Sequence, residues 1–367
     1  KKKINFIHLN KKFKSKEFPL FFVKFENKKF YLKFKTNDDL NLLISYLYTQ
    51  YNFEKIFWKN LFNKLNAKIY LSSSSAHPHS AAAASAINEL GGISLGFSIS
   101  FFEKNDFQQG IDTFNIFFSF SIGLTRLLPQ YSNLKHIIKA GYVGDYKFNK
   151  AKYNAKKIRD KISKNGAKFV IGFFDQGSSS SNSHDLGHEP SRNGYKFLLT
   201  KLIKNEWMGL IIKPKKPKLL KEKLGPVHKL MLEAINTGRC HVYTDHHQLH
   251  SKNFENIPAE TAYASDICIH DHLISATAGL EAVLVGKPTL LFDYYHYFES
   301  TFYKKNLNVV FNDWNKLWEE IKKWKLSENK NDLGSWDNII DEIDNFRDFK
   351  SNERLSKYVS DLMVKLN

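Results

Sequence analysis

An apolar stretch in the second half of the chain is interrupted by small side chains and by one carboxylate, Glu281. The small residues follow one another as Ser275, Ala276, Thr277, Ala278 and Gly279. The pattern predicts a strand ending at Ile269 or His270, a polar loop, and a helix that begins near Ser275. The free N–H groups and positive dipole end of such a helix suit a phosphate, which small side chains admit to the backbone. We expect Glu281 to reach a ribose hydroxyl or to cap the loop.

Two lysines lie at the end of another predicted strand, 208–215, which reads MGLIIKPK. A lysine in this place can neutralise a phosphate as it departs with a leaving group. Lys213 and Lys215 point to opposite faces if the segment is extended, so we expect one of the two to do this. The competing interpretation is a solvated basic loop in a lysine-rich chain.

The loop DQGSSSSNS, 175–183, follows a predicted buried strand and offers a second place for a phosphate. Gly177 and the serines from Ser178 onward supply N–H and hydroxyl donors. Asp175 is a candidate catalytic residue that would act on the acceptor or on the sugar. The alternative is a flexible serine-rich surface loop.

Histidines supply the candidate general base. His77 and His79 lie in SSSSAHPHSA, 72–81, between a predicted strand and a predicted helix. Imidazole accepts a proton near neutral pH, so either histidine suits proton abstraction from an acceptor hydroxyl. The alternative is a helix cap or a turn residue.

Further histidines cluster at 241–250 and 270–272, but their spacing matches no closed metal site and the HExxH motif is absent. We therefore expect neither a metal nor another cofactor. Asp271 and His272 lie in the loop between the predicted strand and the predicted helix, where they would face a bound donor.

The elements that must position these residues alternate in type along the chain. The first part is predicted to contain strands at 4–8, 20–24, 29–34, 67–75 and 93–102 and helices at 38–66 and 79–92. From about residue 167, predicted strands at 168–174, 208–215, 240–244, 266–270 and 288–293 alternate with predicted helices at 193–204, 219–237, 258–264 and 275–286, the last ended by Gly286. This alternation predicts a doubly wound parallel sheet. Ligands of such sheets bind beyond the carboxyl ends of the strands, where the residues named above lie.

Charge and cysteine content narrow the function classes. The net charge of +18 favours an anionic partner, namely a nucleotide, a phospholipid surface or nucleic acid, although a genome rich in A and T would also enrich lysine. Two cysteines give no disulfide framework and indicate a reducing, cytoplasmic setting. No uncharged apolar run is long enough for a membrane span, and no signal peptide is expected.

The segment SDICIHDHLISATAGLEAVLVGKPTLLFD, 265–293, resembles the donor-binding segment of GT-B glycosyltransferases. Residues 165–300 also resemble the bacterial surface-polysaccharide biosynthesis proteins of this superfamily, which share a strand ending in IIKPK and a helix-entry acid like Glu260. The resemblance is weaker over 67–145, where AGYVGDY (140–146) is one of the recognisable segments, and it is absent before about residue 60. Lys213 and Pro214 stand where related sugar transferases often carry His-Pro, so an imidazole role is not carried over.

The resemblance implies an α/β fold of two Rossmann-like domains facing a cleft, followed by C-terminal amphipathic helices. The predicted divisions are an acceptor-side domain at 1–150, a basic linker or helix at 151–166, a nucleotide-sugar-binding domain at 167–345 and a C-terminal helix at 346–367. Residues 1–60 form either an extra β-rich lobe or part of the first sheet. Glu260 joins the residues expected to hold the donor.

The implied function is metal-independent transfer of a sugar from a nucleotide-sugar donor to a surface glycan or lipid-linked acceptor. Two alternatives share the fold: a polyol-phosphate transferase of the CDP-glycerol type and a nucleotide-sugar 2-epimerase. A basic helix at 147–164 suits peripheral contact with the inner, anionic face of the plasma membrane. A non-catalytic nucleic-acid or membrane-binding protein is the alternative of another class, but the basic residues are spread along the chain, so we expect no nucleic-acid partner.

Overall fold

The computed structural model describes residues 39–73, 78–101, 113–120, 134–178, 187–244, 257–329 and 332–366. The first domain contains helices α1 Asp39–Leu65 and α2 Pro78–Glu89 and strands β1 Ile69–Ser72, β2 Ile93–Phe97, β3 Ile116–Ser119 and β4 His136–Lys139. These strands form a parallel sheet in the order β1-β2-β3-β4. The predicted strands at 4–8, 20–24 and 29–34 lie outside the described residues.

The second domain is built on a six-stranded parallel sheet in the order β10-β9-β8-β5-β6-β7. Its strands are β5 Phe169–Phe174, β6 Met208–Lys213, β7 Cys240–Val242, β8 Ile267–His270, β9 Thr289–Phe292 and β10 Val310–Phe311. Its helices are α3 Phe148–Lys164, α4 His188–Lys204, α5 Leu220–Leu224, α6 Val227–Asn236, α7 Pro258–Ala264, α8 Thr277–Leu284, α9 Thr301–Lys304, α10 Trp314–Leu326 and α11 Asp337–Ile343. The prediction of two Rossmann-like parallel-sheet domains is confirmed.

The central strands are apolar without alternation because helices cover both faces of a parallel sheet. Every residue of β5 and β6 is buried. Gly172 in β5 is required by the close approach of α7, since a Cβ atom there would lie 2.7 Å from Ser265 Oγ and 3.0 Å from Thr261 Cγ2. This contact fixes α7 against the strand that carries Asp175 at its end.

Helix boundaries differ from the predictions where backbone geometry intervenes. The single helix predicted over 219–237 is wrong, because α5 and α6 are separated by Gly225 and Pro226. Gly225 adopts φ +51°, a left-handed value that ends α5. Gly286, at φ +80°, follows the end of α8 as predicted.

The last helix, α12 Ser351–Leu366, returns to the first domain. Val359 packs in the same cluster as Leu95 and Phe118 of the first sheet. The Ser351 hydroxyl donates to Asp145 Oδ1 at 2.6 Å, and Arg354 Nε donates to the carbonyl oxygen of Ala140 at 2.9 Å. Helix α12 therefore covers one side of the first domain. Among the described helices, none combines the length and apolar character needed to cross a membrane.

Arg239 joins the end of α4 to the start of β6 and allows a test of the fold. This buried guanidinium donates through Nη1 to the carbonyl oxygens of Leu202 at 3.1 Å and of Asn205 and Met208 at 2.8 Å. Arg239→Met should lower the free energy of unfolding by about 3 kcal/mol, because buried carbonyl groups lose their donors. Urea unfolding measures this change.

Arg347 provides the matched control. Its side chain is 46% exposed and forms an ion pair with Asp341 at 2.6 Å. Arg347→Met should cost less than about 1 kcal/mol, because exposed ion pairs contribute little. Equal losses of stability in the two variants would contradict the role given to Arg239.

Candidate functional site

The strand order places the candidate residues together at one edge of the second sheet. Strand β5 pairs with β6 on one side and β8 on the other, so the direction of winding reverses beside β5. Phe174 at the end of β5 is in register with Lys213 of β6 and with His270 of β8. Asp175 and Asp271 each follow directly. Open α/β sheets bind their ligands at such a switch point, beyond the carboxyl ends of the strands.

Asp175 is bound on all sides within the second domain. Its Oδ2 accepts hydrogen bonds from Tyr195 Oη at 2.7 Å and from Lys223 Nζ at 2.8 Å. Its Oδ1 accepts from the backbone N–H of Lys215. Lys223 Nζ also donates to the carbonyl oxygen of Gln176 at 2.8 Å. These bonds fix the two loops that follow β5 and β6, so the geometry favours a positioning role for Asp175 over direct action on an acceptor.

Asp271 is the matching carboxyl group after β8 and is fully buried. Its Oδ2 accepts from the Ser191 hydroxyl at 3.1 Å, and its Oδ1 accepts from Tyr294 Oη. Burial raises the pKa of Asp271 to about 7, against a smaller opposing effect of Lys223. Ser191 and Tyr195 lie one turn apart on α4, so one helix face holds both carboxyl groups.

Lys213 is a buried ammonium without a counter-ion in the described part of the chain. Lys213 is 8% exposed, and its Nζ lies over the Tyr243 ring at 5.6 Å from the centroid. No described carboxylate comes within ion-pair distance. Burial lowers the pKa of Lys213, and the more distant charges of Asp175, Glu281 and Glu260 oppose that effect. A buried cation in this state attracts an anion.

Glu281 and Glu260 are buried and occupied by other protein groups. Glu281 Oε1 accepts from Tyr142 Oη at 2.6 Å, and its Oε2 accepts from the N–H of Ala259 at 3.0 Å. Burial raises the pKa of Glu281. Glu260 accepts from Tyr243 Oη at 2.9 Å and from an Asn154 amide at 3.3 Å. Glu281 therefore caps the N-terminus of α7 rather than the loop before α8, and its bond to Tyr142 connects the two domains.

The small residues surround the start of α8, as predicted. Ala276 precedes the helix, and no side chain caps its N–H groups. The N–H of Ser275 donates to His272 Nδ1 at 3.1 Å, and Thr277 Oγ1 accepts from the N–H of Phe101 at 2.8 Å. Since Phe101 follows β2, the carboxyl edge of the first sheet faces the N-terminus of α8. Ala278 and Gly279 continue this turn, and a Cβ atom on Gly279 would lie 3.3 Å from His270 Cβ.

The loop after β5, residues 175–178, lies beside the exposed side chain of Lys215. The Ser178 hydroxyl lies 2.8 Å from His188 Nδ1, at the start of α4. Exposed Lys215 donates through Nζ to Gln176 Oε1 at 2.7 Å, and its Cδ would lie 3.5 Å from a Cβ atom on Gly177. Of the two lysines left open by the sequence, Lys213 is the buried one.

The first domain supplies His79 near the start of α2. The imidazole is 72% exposed, and its Nδ1 lies 2.7 Å from Glu54 Oε2 of α1. This approach lacks hydrogen-bond geometry, and a carboxylate beside Nδ1 leaves Nε2 for proton transfer. His77 lies outside the described residues. Among the described residues, no group of three His, Cys, Asp or Glu side chains is arranged to hold a metal ion.

The two-domain architecture matches solved structures at low sequence identity. The UDP co-structure of S. aureus MnaA aligns with a TM-score of 0.52 and 11% identity, over 88% of this chain and 82% of that one. A protein from Listeria monocytogenes assigned as a UDP-N-acetylglucosamine 2-epimerase aligns with a TM-score of 0.53 and 11% identity, over 87% and 81%.

The chain has the GT-B fold. No protein-family model matches the sequence, and no curated protein matches it significantly. The resemblance that was based on the segment from Ser265 to Asp293 is therefore correct for the fold, and the facing carboxyl edges described above belong to its interdomain cleft.

Several residues of the site escaped sequence reasoning. Lys223 is one of many lysines, and nothing in its neighbourhood marks it as the partner of Asp175. Ser191 and Tyr195 lie on α4, which the sequence predicted to start at residue 193. The predicted helix therefore lacked Ser191, and the helix face that binds Asp175 and Asp271 could not be recognised. Tyr142 did stand within AGYVGDY, a segment noted for its resemblance, and that was the available signal.

Asp271 makes the stability of the site depend on pH. Because burial raises the pKa of this carboxyl from 3.8 to about 7, its contribution to stability is complete below pH 4 and is lost as pH rises through 7. Asp271→Asn keeps the shape and removes the ionisation. At pH 8 the free energy of unfolding of the variant should therefore exceed that of the parent by up to about 4 kcal/mol. This difference should shrink towards pH 4. Urea unfolding at pH 4, 6 and 8 measures this, and parallel curves for the two proteins would contradict it.

Proposed function

We propose that this protein is a metal-independent glycosyltransferase that takes its sugar from a nucleotide-sugar donor. The observation that carries the proposal is buried Lys213, which has no ion-pair partner among the described residues and lies at the switch point of the second sheet. A donor diphosphate supplies the missing negative charge. The uncapped N–H groups at the start of α8 lie on the same edge and suit the same anion.

The roles follow from the order of the residues along the cleft. Lys213 and the start of α8 would neutralise the charge that develops on the departing nucleotide. Lys215, Gly177 and Ser178 would line the phosphate on the exposed side, and Glu281 with Glu260 would contact the ribose or keep its surroundings in place. Asp175 with Asp271 and His272 would hold the loops that shape this pocket.

The acceptor would enter from the first domain, a glycan or a lipid-linked glycan in this proposal. His79, which lies beside Glu54, is the candidate base for its hydroxyl proton. The exposed lysines of α3 suit an anionic lipid surface, where such an acceptor would lie. Unchanged binding to anionic vesicles after replacement of Lys156 and Lys157 by Glu would contradict that location.

Lys213→Met tests the donor site by two effects of opposite sign. Without ligand, the variant should be as stable as the parent or more stable, because a buried ammonium is replaced by an apolar side chain. Stabilisation by CMP, CDP, UDP or GDP should fall by the equivalent of about tenfold or more in affinity, because a charge-assisted contact is lost. Thermal unfolding with and without each nucleotide measures both effects.

Lys218→Met is the matched control, since Lys218 is exposed and lies only five residues further along the chain. It should leave the nucleotide effect unchanged. The proposal fails if no nucleotide stabilises the parent at millimolar concentration, or if Lys213→Met and Lys218→Met respond alike.

Two further reactions suit the same cleft, and their products separate them. A 2-epimerase needs groups that exchange protons near neutral pH, and the buried Asp271 carboxyl, with its pKa of about 7, favours that alternative. A polyol-phosphate transferase would use the same phosphate contacts. The nucleotide sugar that stabilises the protein would be incubated with it and followed by mass spectrometry and NMR. We expect release of the nucleoside diphosphate with formation of a glycosidic bond.

A retained mass with a changed stereocentre would establish the epimerase instead, and a new phosphodiester would establish the polyol-phosphate reaction. His79→Gln should slow turnover while leaving nucleotide binding intact, because its place is on the acceptor side. Equal turnover in His79→Gln and the parent would remove His79 from the mechanism.

A further inference from the structure

A loop of aromatic residues follows β9 at the same edge of the sheet as the candidate site. It reads DYYHYFES, residues 293–300. Two contacts tie it to the site: Tyr294 Oη donates to Asp271, and the Tyr295 ring lies 6.2 Å from the His272 ring between centroids. The loop therefore borders the place where we propose that the donor binds.

The loop is held in one conformation by the buried carboxylate of Asp293. Its Oδ1 accepts from the N–H of Tyr295 at 3.0 Å. Its Oδ2 accepts from the N–H of Tyr297 at 2.7 Å and from Tyr303 Oη at 3.0 Å. His296 adopts φ +54° and places Nδ1 3.0 Å from the Asn312 amide. Such bonds preorganise the side chains that the loop presents, and preorganisation lowers the entropy cost of binding.

Two of these side chains are directed towards solvent. Tyr295 is 45% exposed and Phe298 is 59% exposed. The Phe298 ring is supported from beneath by Tyr303, at 5.2 Å between centroids, and by His296 at 5.8 Å. A single exposed aromatic residue is ordinary, but a pair on a braced loop beside a cleft offers a firm apolar surface.

The charge around this surface differs from that of the rest of the chain. No lysine or arginine occurs from Pro288 to Tyr303, although the chain contains 55 of them. Of the two acids in this segment, Asp293 is buried and Glu299 is ion-paired with Lys304 at 2.6 Å. The surface is therefore close to neutral. It suits an uncharged ligand with apolar faces better than a phosphate, an anionic lipid headgroup or a nucleic-acid backbone.

We propose that Tyr295 and Phe298 form a stacking surface for the pyranose ring of a saccharide. A pyranose combines hydroxyl groups at its rim with C–H groups on its faces, and polarised C–H groups are attracted to the negative face of an aromatic ring. The hydroxyl of Tyr295 and the ring of His296 supply polar groups at the edge of this surface. The assignment to a saccharide rests on the proposed transferase function, which it extends by a sugar subsite outside the phosphate contacts.

An array of immobilised neutral and acidic oligosaccharides tests the subsite with the full chain. The parent protein should bind at least one saccharide, and Tyr295→Ala and Phe298→Ala should each weaken that binding about three- to tenfold. Tyr153→Ala is the control, because Tyr153 is 68% exposed on α3 and lies outside the loop. It should bind as the parent does. Thermal unfolding confirms that each variant is folded.

Nucleotide stabilisation, measured in parallel with CMP, CDP, UDP and GDP, separates the two proposals. It should persist in Tyr295→Ala and Phe298→Ala. Loss of nucleotide stabilisation in these variants would show that the rings stack on a nucleobase, and would overturn the saccharide assignment. Absence of saccharide binding by the parent, or undiminished binding by both variants, would overturn it as well. Saccharide binding that depends on the two rings without any nucleotide effect would support the subsite and defeat the transferase.

Discussion

The ion pair between Asp175 and Lys223 is buried where the second sheet reverses its strand order. Removing each charge from water costs several kcal/mol. The attraction between the two ions offsets this cost only when further hydrogen bonds satisfy their remaining donors and acceptors. Here Tyr195 and the N–H of Lys215 complete the carboxylate, and the carbonyl oxygen of Gln176 completes the ammonium. Loss of either ion would leave an uncompensated buried charge, and loss of a neutral partner would remove a hydrogen bond from it, so the loops after β5 and β6 are held to one arrangement.

A second buried carboxylate, that of Glu281, connects the two domains across the cleft. One of its oxygens holds Tyr142 of the first domain, and the other holds the start of α7. Lys147 and Lys213 are close enough to lower its pKa against the effect of burial. A ligand hydroxyl that approaches Glu281 draws on the same oxygens as Tyr142. Ligand binding and the relative position of the domains are therefore expected to affect each other.

The elements with a strong local signal were predicted well from the sequence. Helix α7 and strands β5 and β8 agree with their predicted bounds to within one residue, because β5 and β8 are apolar runs and Pro258 marks the first turn of α7. Gly-Lys-Pro likewise marked the turn between α8 and β9. The small residues that follow β8 predicted a helix start near Ser275, and α8 begins at Thr277.

The hydrogen bonds and ion pairs between residues far apart in the chain could not be predicted from the sequence. The partner of Asp175 lies 48 residues away, and that of Glu281 lies 139 residues away. Separations of this length follow neither helix nor strand periodicity, so a single sequence does not reveal which residues pair. Asp175 also illustrates how burial changes an interpretation: a carboxylate in a polar loop reads as a reactive group, but three donors turn it into a fixed anchor. For Lys213, burial strengthens the interpretation as a functional residue. The sequence left Lys213 and Lys215 equivalent, and only the burial of Lys213 distinguishes the two.

The return of α12 to the first sheet affects the order in which the protein can fold. Leu95 and Phe118 leave the ribosome more than 200 residues before Val359, which covers them. Domains commonly fold as units during synthesis, beginning with the N-terminal one. In this chain the second domain can assemble while the first still lacks its last layer. The apolar face that α12 covers therefore stays exposed in the nascent first domain until α12 is made. Packing of α12 on this face forms contacts of very long sequence separation, and such contacts slow folding.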